Sequence, residues 1–545
     1  MLFAESRLLY NLSPPKNDFL SNFSKAERTG FRGKGRYIVA SKLENKSKER
    51  KDDVINLLIL IFISSLLGVY LLATTVLIAG DGVFYIERAR MFSSDPIGIV
   101  KAHHPGYPFL IFITHKFASF FSNSSSVYSW IYSAQSANLL CRVFALVPLY
   151  FIGKLLVGSR NSFWALVILI LLPYPAEYGS DALRDWPHIL FLATGFLFLL
   201  WGAKLGRWWM FGVVGLAAGF GHIIRPECAQ LLIYAVLWLL IGLFLPRLNM
   251  NRPKLFCALF ILLVGFAVPT APYIKARGRI LPRKLEALIS SSYRLRSERI
   301  QEPDVDCRNN VYTAAEVSGN IMKAIGMLMR EISDNLMHFF LPALLLGVYS
   351  RFCKRSAVTD VERFFVPAFM VFNIIMMVLL YCSWQYISGR HCLPLVVFTV
   401  FYVPVGLQIL ADWLIGKFPK VRLDQNQKPR LWFFILVITG LAVCMPKLLR
   451  PIRVDKKAYK AAAQWLKENT QENDPVAVSD KRISFYAERE GVIYNKVIPE
   501  GAEYAVKIVE SEDEKPAVGK AIHEELSLWI DEQKKIKKIV IYKVL

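Results

Sequence analysis

Long apolar runs separated by short polar connections dominate the chain up to about Pro451. A run of about 18 or more apolar residues is long enough to cross a ~30 Å hydrocarbon layer as a helix. On that measure helices are predicted near Val54–Ile78, Ser136–Leu156, Ser162–Leu172, Trp186–Trp201, Trp208–His222 and Cys228–Leu245. Further helices are predicted near Leu255–Pro272, Ile332–Tyr349, Phe364–Tyr381, His391–Ile415 and Leu431–Met445. That makes about eleven spans, the third and fourth rather short. Gly215 and Gly219 have the small-xxx-small spacing that lets a neighbouring helix approach closely.

After Pro451 the pattern changes. Lys456–Glu468 carries Ala461, Ala462, Trp465 and Leu466 at helical spacing, and Val476–Val478 and Val492–Tyr494 read as short strands. Val518–Ile530 is predicted as a second helix, and Lys538–Val544 as a closing strand. The chain is therefore predicted to be an all-α polytopic membrane protein with a small C-terminal α/β domain. Its segments are a basic tail (1–53), a transmembrane domain (54–450) and the α/β domain (451–545).

The formal net charge of +23 changes this picture only through its distribution. Lysine and arginine crowd the connections that alternate with the spans, where they orient a membrane protein. The first tail ends in Lys46, Lys48, Arg50 and Lys51 and lacks the apolar core of a signal peptide, so it is assigned to the cytoplasm. Counting onward, the inside connections hold Lys154 and Arg160, then Lys204 and Arg207, then Arg247, Arg252 and Lys254. Arg351, Lys354 and Arg355 follow, and then Lys417, Lys420, Arg422, Lys428 and Arg430. The connection from Lys275 to Arg330 breaks the rule, falling outside yet carrying Arg277, Arg279, Arg283, Lys284, Arg294, Arg296 and Arg299. A long loop obeys the charge rule less strictly. By the same count the C-terminal domain is extracytoplasmic.

Nucleic acid is excluded as a partner, because no continuous basic face with stacking aromatics is present. Of the eight cysteines, Cys141, Cys228, Cys257, Cys382, Cys392 and Cys444 sit in apolar runs without CxxC spacing, as small buried hydrophobes do.

With the topology set, the polar residues that flank the spans gather on one side. Asp81, in AGDGVFY, follows the first span, and HHPGYPFL with His103, His104 and Tyr107 lies beyond it. EYGSDALRDWPH, between the third and fourth spans, supplies Glu177, Asp181, Arg184 and Asp185. GHIIRPE after the fifth span supplies His222, Arg225 and Glu227, and SGRHCLP after the ninth supplies Arg390 and His391. Ionisable groups at a bilayer edge are costly unless paired or hydrated, and point to function.

In order and in shared membrane side, DGVFY, HHPGYPFL, SDALRDWPHILFL, GHIIRPE and GRHCLP resemble polyprenyl-phosphate-dependent glycosyltransferases of the GT-C fold. The nearest branch is that of the protein O-mannosyltransferases and lipid A aminoarabinose transferases. AAAQWLKENTQENDPVAVSDKRISFYAERE resembles the segment that follows the membrane part of many bacterial members. The resemblance covers most of the chain from about Val54. It implies transfer of a sugar from a lipid monophosphate carrier to an acceptor hydroxyl on a protein, lipid or glycan at the outer face. The expected location, among membrane lipids, is a bacterial plasma membrane, with the endoplasmic reticulum as the alternative.

The acceptor hydroxyl loses a proton as it attacks, which needs a base. Asp81 matches the family's acidic residue after the first span. Arg225 and Arg390, with Arg184 behind them, are the candidates to steady the departing phosphate. His103, His104, Tyr107, Asp181, Asp185 and Glu227 complete the candidate substrate-binding set. No metal site is expected, since no HExxH or tight acidic cluster is present, and no cofactor is expected.

Simpler readings stand beside these. Asp81 can start a turn with Gly82, and Asp185 sits where a helix cap is expected. Asp181 or Asp185 can pair with Arg184 to hold the loop, and Arg225 and Arg390 can snorkel to lipid head groups. Glu227 can complement a helix dipole, and Asp480, Lys481 and Arg482 read as a solvated turn. A transporter or flippase, and a non-catalytic anchoring protein, are the competing functions. The first would place binding groups near the midplane within repeats, whereas here the midplane positions are nearly free of charge and no repeat is evident.

Overall fold

The computed structural model describes residues 32–121, 126–244, 250–278, 314–353, 358–417, 428–494, 497–509, 522–530 and 537–544. The chain divides into two compact units, Met1–Ile59 and Leu60–Leu545.

The first span is part of the long helix α1 (Arg32–Thr74). Short helices follow in the connection to the second span: α2 (Gly80–Met91), α3 (Pro96–Ala102) and α4 (Gly106–Ser119). Then come α5 (Val127–Val157), α6 (Ser159–Leu171), α7 (Pro173–Tyr178), α8 (Asp185–Leu205), α9 (Met210–Ile224), α10 (Gln230–Phe244) and α11 (Arg252–Arg277). The remaining membrane-domain helices are α12 (Ala314–Asn335), α13 (Phe340–Cys353), α14 (Asp360–Trp384), α15 (Gly389–Thr399), α16 (Val403–Lys417) and α17 (Lys428–Leu448).

Among the described residues eight helices are long and apolar enough to cross a membrane, or up to nine if the bent pair α12–α13 is one span. Two shorter apolar helices, α6 and α9, coincide with the third and fifth predicted runs. The protein is an integral membrane protein. The predicted span Ile332–Tyr349 needs correction. The chain turns by 109° within it, because Met337 and His338 adopt positive φ between α12 and α13. Most of the basic Lys275–Arg330 connection lies outside the described residues, as do Arg247, Lys354, Arg355, Lys420 and Arg422.

The glycine pair on α9 does what its spacing suggests. A Cβ at Gly215 would collide with the α11 backbone at Leu262 and Phe266, and one at Gly219 would collide with Pro269 and the Phe266 carbonyl. Only hydrogen fits between these two helices. Gly215→Val is therefore expected to cost about 1–3 kcal/mol, read as a lower unfolding temperature in detergent.

The C-terminal domain pairs α18 (Lys457–Asn469) and α19 (Lys481–Ala487) with a five-stranded sheet of order β2-β1-β3-β5-β4. The strands are β1 (Val476–Val478), β2 (Gly491–Ile493), β3 (Tyr504–Val509), β4 (Ile522–Trp529) and β5 (Lys538–Val544). β1 runs parallel to β2 and β3, whereas β5 runs antiparallel to β3 and β4. The predicted second helix, Val518–Ile530, is thus a strand over its described part. Leu526, Leu528 and Ile530 all pack on the core, the period of two that marks a strand face. One apolar cluster runs from Leu77, Ile78, Val83 and Ile86 through Tyr459, Leu466, Ile483 and Tyr486 to Ile541. The domain is therefore packed directly against the segment that carries Asp81.

Candidate active site

The entry to α2 is clamped from three directions. Asp181, fully buried, accepts at Oδ1 from the backbone N–H of Ala79 (3.0 Å) and of Ala182 (2.7 Å). Its other oxygen pairs with Arg453 Nη1 at 2.5 Å, and Arg453 also donates to the Leu77 carbonyl (3.2 Å). From the C-terminal domain, the Tyr486 hydroxyl accepts from the Ile78 N–H (3.1 Å). These bonds satisfy the backbone at the bend and present Asp81 in the first turn of α2, where the helix dipole favours a carboxylate.

The loop 176–184 is held by a polar stripe on α5. Gln135 donates to the Ser180 carbonyl (3.0 Å), and Asn138 donates to the carbonyls of Tyr178 (2.6 Å) and Asp181 (2.7 Å). Arg142, also buried, donates to the Ile170 carbonyl (3.0 Å) and faces the Trp186 ring. Positions 135, 138 and 142 share one helix face, with Gln135 and Asn138 serving the loop and Arg142 the end of α6 that leads to it.

On this frame two ion pairs stand out. Arg390 Nη1, in the first turn of α15, donates to Asp81 Oδ2 at 2.9 Å, with side-chain exposures of 30% and 53%. Arg225 Nη1 donates to Asp185 Oδ1 at 2.6 Å, and its Nε to Glu227 Oε1 at 3.1 Å. The Arg225 and Asp185 side chains are only 8% and 7% exposed. Arg225 is therefore committed to two carboxylates and does not snorkel to lipid. Arg390 is half-open and bonded to Asp81.

Tyr85 lies within the electrostatic reach of Arg184, Asp81, Asp185 and Arg225, and burial raises its phenol pKa. Arg184 lies over the Tyr85 ring (5.8 Å) and donates to the Ile224 carbonyl (3.4 Å).

The histidines separate. His103 Nε2 bonds with Arg88 Nη2 (3.1 Å) against the Phe84 ring. His104 bonds through Nδ1 with the Tyr273 hydroxyl (2.9 Å), and Arg277 bonds with Tyr273 and reaches His104 Nε2. Burial, and then the charges of Arg184 and Arg277, lower the His104 pKa to about 3. It is thus a neutral hydrogen-bonding group at neutral pH. Tyr107 is buried, donates to the Ala134 carbonyl (3.0 Å) and packs edge-on against Tyr85.

The structure therefore joins Asp81 to Arg390 and Arg225 to Asp185 and Glu227, with Tyr85 in electrostatic reach of both groups, Arg184 over the Tyr85 ring, and His104 bonded to Tyr273 and Arg277. Asp181 and Tyr107 face inward as supports, and Asp181 pairs with Arg453 rather than Arg184. The Asp480–Lys481–Arg482 turn is not simply solvated, since each of its charges is paired. Arg482 pairs with Asp480 at 2.6 Å and reaches the Ile78 carbonyl, and Lys481 pairs with Glu87 at 2.6 Å. Arg453, Tyr486, Tyr85 and the Gln135–Asn138–Arg142 stripe were not among the sequence candidates. Only the stripe had a readable signal, an arginine inside an apolar run. Among the described residues no group of three or more His, Cys, Asp and Glu side chains is placed to hold a metal ion.

Residues 103–271 match the family profile described as dolichyl-phosphate-mannose-protein mannosyltransferase. No curated protein matches the chain. Among solved structures, ArnT from Cupriavidus metallidurans in the apo state aligns at 10% identity and TM-score 0.52, covering 89% of this chain and 97% of its own. The same protein bound to undecaprenyl phosphate aligns at 12% identity and TM-score 0.50, covering 90% and 97%. The archaeal oligosaccharyltransferase AglB from Archaeoglobus fulgidus, in complex with an inhibitory peptide and a dolichol-phosphate, aligns at 14% identity and TM-score 0.48, covering 83% and 69%. The chain therefore has the GT-C fold of ArnT and carries, over residues 103–271, the sequence pattern of the dolichyl-phosphate-mannose-protein mannosyltransferases.

Proposed function

We propose that this protein is a membrane glycosyltransferase that moves a hexosyl or pentosyl unit from a polyprenyl-phosphate carrier to an acceptor hydroxyl on a protein, lipid or glycan. The observation that carries the reading is the Asp81–Arg390 pair, half-open and flanked by the Tyr85–Arg184 contact. An acid and cations of this kind are what the reaction needs in one place. Asp81 takes the proton of the acceptor hydroxyl as its oxygen attacks the anomeric carbon. The bond from that carbon to the phosphate oxygen breaks, and the carrier leaves as polyprenyl phosphate. Arg390 and Arg184 meet the charge that grows on the phosphate. Arg225 is saturated by Asp185 and Glu227, so its part is to hold Asp185 and the start of α8 in place. The family match and the fold support a lipid-phosphate donor.

The basic connections support a cytoplasmic N-terminus and an extracytoplasmic site. Arg390→Gln is expected to lower transfer about 10²–10³-fold, the usual loss when one donor to a developing anion is removed. It should barely move the unfolding temperature, because the pair it breaks is half-exposed.

The test is transfer by purified protein in proteoliposomes, offered a panel of polyprenyl-phosphate sugars and, in parallel, nucleotide sugars. Release of polyprenyl phosphate from at least one lipid-linked sugar supports the reading. Use of a nucleotide sugar alone, or of no donor in the panel, contradicts it.

A further inference from the structure

Helix α2 presents two separate polar faces. At about 100° per residue, Tyr85 and Arg88 share the side of Asp81, whereas Glu87 and Arg90 lie roughly 120° or more around the helix. That second face opens on a cavity of about 650 Å³ between α2, the start of α5 and the α19–β2 segment of the C-terminal domain. Asp81 does not line it. Its volume falls within the range of about 300–1,000 Å³ typical of small-molecule sites.

The lining is polar and balanced in charge. Three carboxylates (Glu87, Glu488 and Glu490) face Arg90, Lys481 and Arg489. Lys481 is held by Glu87 (2.6 Å), and Glu488 is held by Lys467 (2.8 Å). Arg90 differs from these. Its guanidinium lies between the rings of Trp130 (5.7 Å) and Phe485 (5.3 Å), its Nε is buried without an acceptor, and no hydrogen bond joins it to another described residue. His115 stacks on Trp130 at 3.6 Å, so that ring grips the arginine rather than offering a free face. The result is a flat donor fork, fixed in place and unspent, with carboxylate acceptors around it.

An anion entering here would meet as many carboxylates as cations, and an apolar ligand would desolvate them without compensation. A hydroxyl-rich neutral molecule suits both, because each hydroxyl donates and accepts. We propose that this cleft is a saccharide-binding site, with Arg90 and Lys481 donating to ring and hydroxyl oxygens and Glu87 and Glu490 accepting from hydroxyls. It is separate from the transfer site on the other face of α2 and does not depend on the reaction proposed for it.

The test uses the full chain in phospholipid nanodiscs, free of sugar detergents, with mannotriose and maltotriose as probes and binding read by saturation-transfer NMR and calorimetry. Inorganic phosphate and a glutamate tripeptide serve as comparisons. Binding of at least one trisaccharide is expected, weakened tenfold or more by Arg90→Gln and about threefold by Glu490→Gln. Glu490 is exposed, so its variant reports on the site even where Arg90→Gln folds poorly. Asp81→Asn is expected to bind as the wild type does, whether or not transfer is observed. Absence of binding by both trisaccharides, binding unchanged in both cleft variants, or preferential binding of phosphate or the peptide at this cleft would overturn the proposal.

Discussion

Asp81→Asn is expected to lower sugar transfer by about 10²–10⁴-fold, the range a positioned general base contributes. The protein should remain inserted and folded, because the Asp81 side chain is 53% exposed and its one ion pair is with a half-open arginine. Asparagine can still accept from Arg390, so the first turn of α2 and the position of Arg390 are kept while the base is lost. Donor binding is therefore expected to persist as turnover collapses, a loss in kcat rather than in KM. Single-turnover transfer from a radiolabelled polyprenyl-phosphate sugar, with binding measured on the same preparation, separates the two. Full activity in the variant would remove Asp81 from the mechanism.

The second large effect is on stability. Arg225→Met is expected to cost about 3–5 kcal/mol, because it strands the buried Asp185 beside Glu227 without the cation that the two carboxylates share. Asp185 lies 2.6 Å from Arg225, and both side chains are at most 8% exposed. Water cannot replace the missing partner at Asp185 as it could at Arg390, whereas Glu227, 34% exposed, keeps contact with water. Asp185→Asn should cost less, since Arg225 keeps Glu227 and the amide oxygen still accepts. Thermal unfolding in detergent and the yield of monodisperse protein report both. An Arg225→Met protein as stable as the wild type would show that the triad is solvated and that Arg225 is free for a ligand.

Much of this fold is legible in the sequence because the bilayer imposes a length on each span, and a run such as Phe364–Tyr381 has no alternative to helix. The misreadings fall where that constraint lapses. Ile332–Tyr349 looks like one span by composition, but positive φ at Met337 and His338 is a tertiary choice that apolar counting does not detect. Helices α2 to α4 are too short to cross and leave no span signal in the sequence. The strand at Ile522–Trp529 hides its alternation behind the polar run of His523, Glu524 and Glu525.

The candidate site divides in the same way. Asp81, Arg225 and Arg390 are visible as charges at the edge of apolar runs, but which charge meets which is not. That Arg225 takes Asp185, 40 positions away, as well as nearby Glu227, and that Asp181 pairs with Arg453, 272 positions away, are contacts that local sequence does not mark. Tyr486 and Arg453 were unreadable for the same reason. They lie in the C-terminal domain, and nothing local marks them as supports for the turn before Asp81.

A polyprenyl phosphate carrying a photoreactive diazirine on its first isoprene unit, cross-linked to the purified protein and mapped by mass spectrometry, tests most directly whether the lipid phosphate comes to rest beside the acid and its arginines. Labels on peptides spanning residues 80–107, 184–185 and 389–391, suppressed by excess unmodified carrier, are the expected result. Labels confined to lipid-facing helices such as α17, and unaffected by competition, would contradict it.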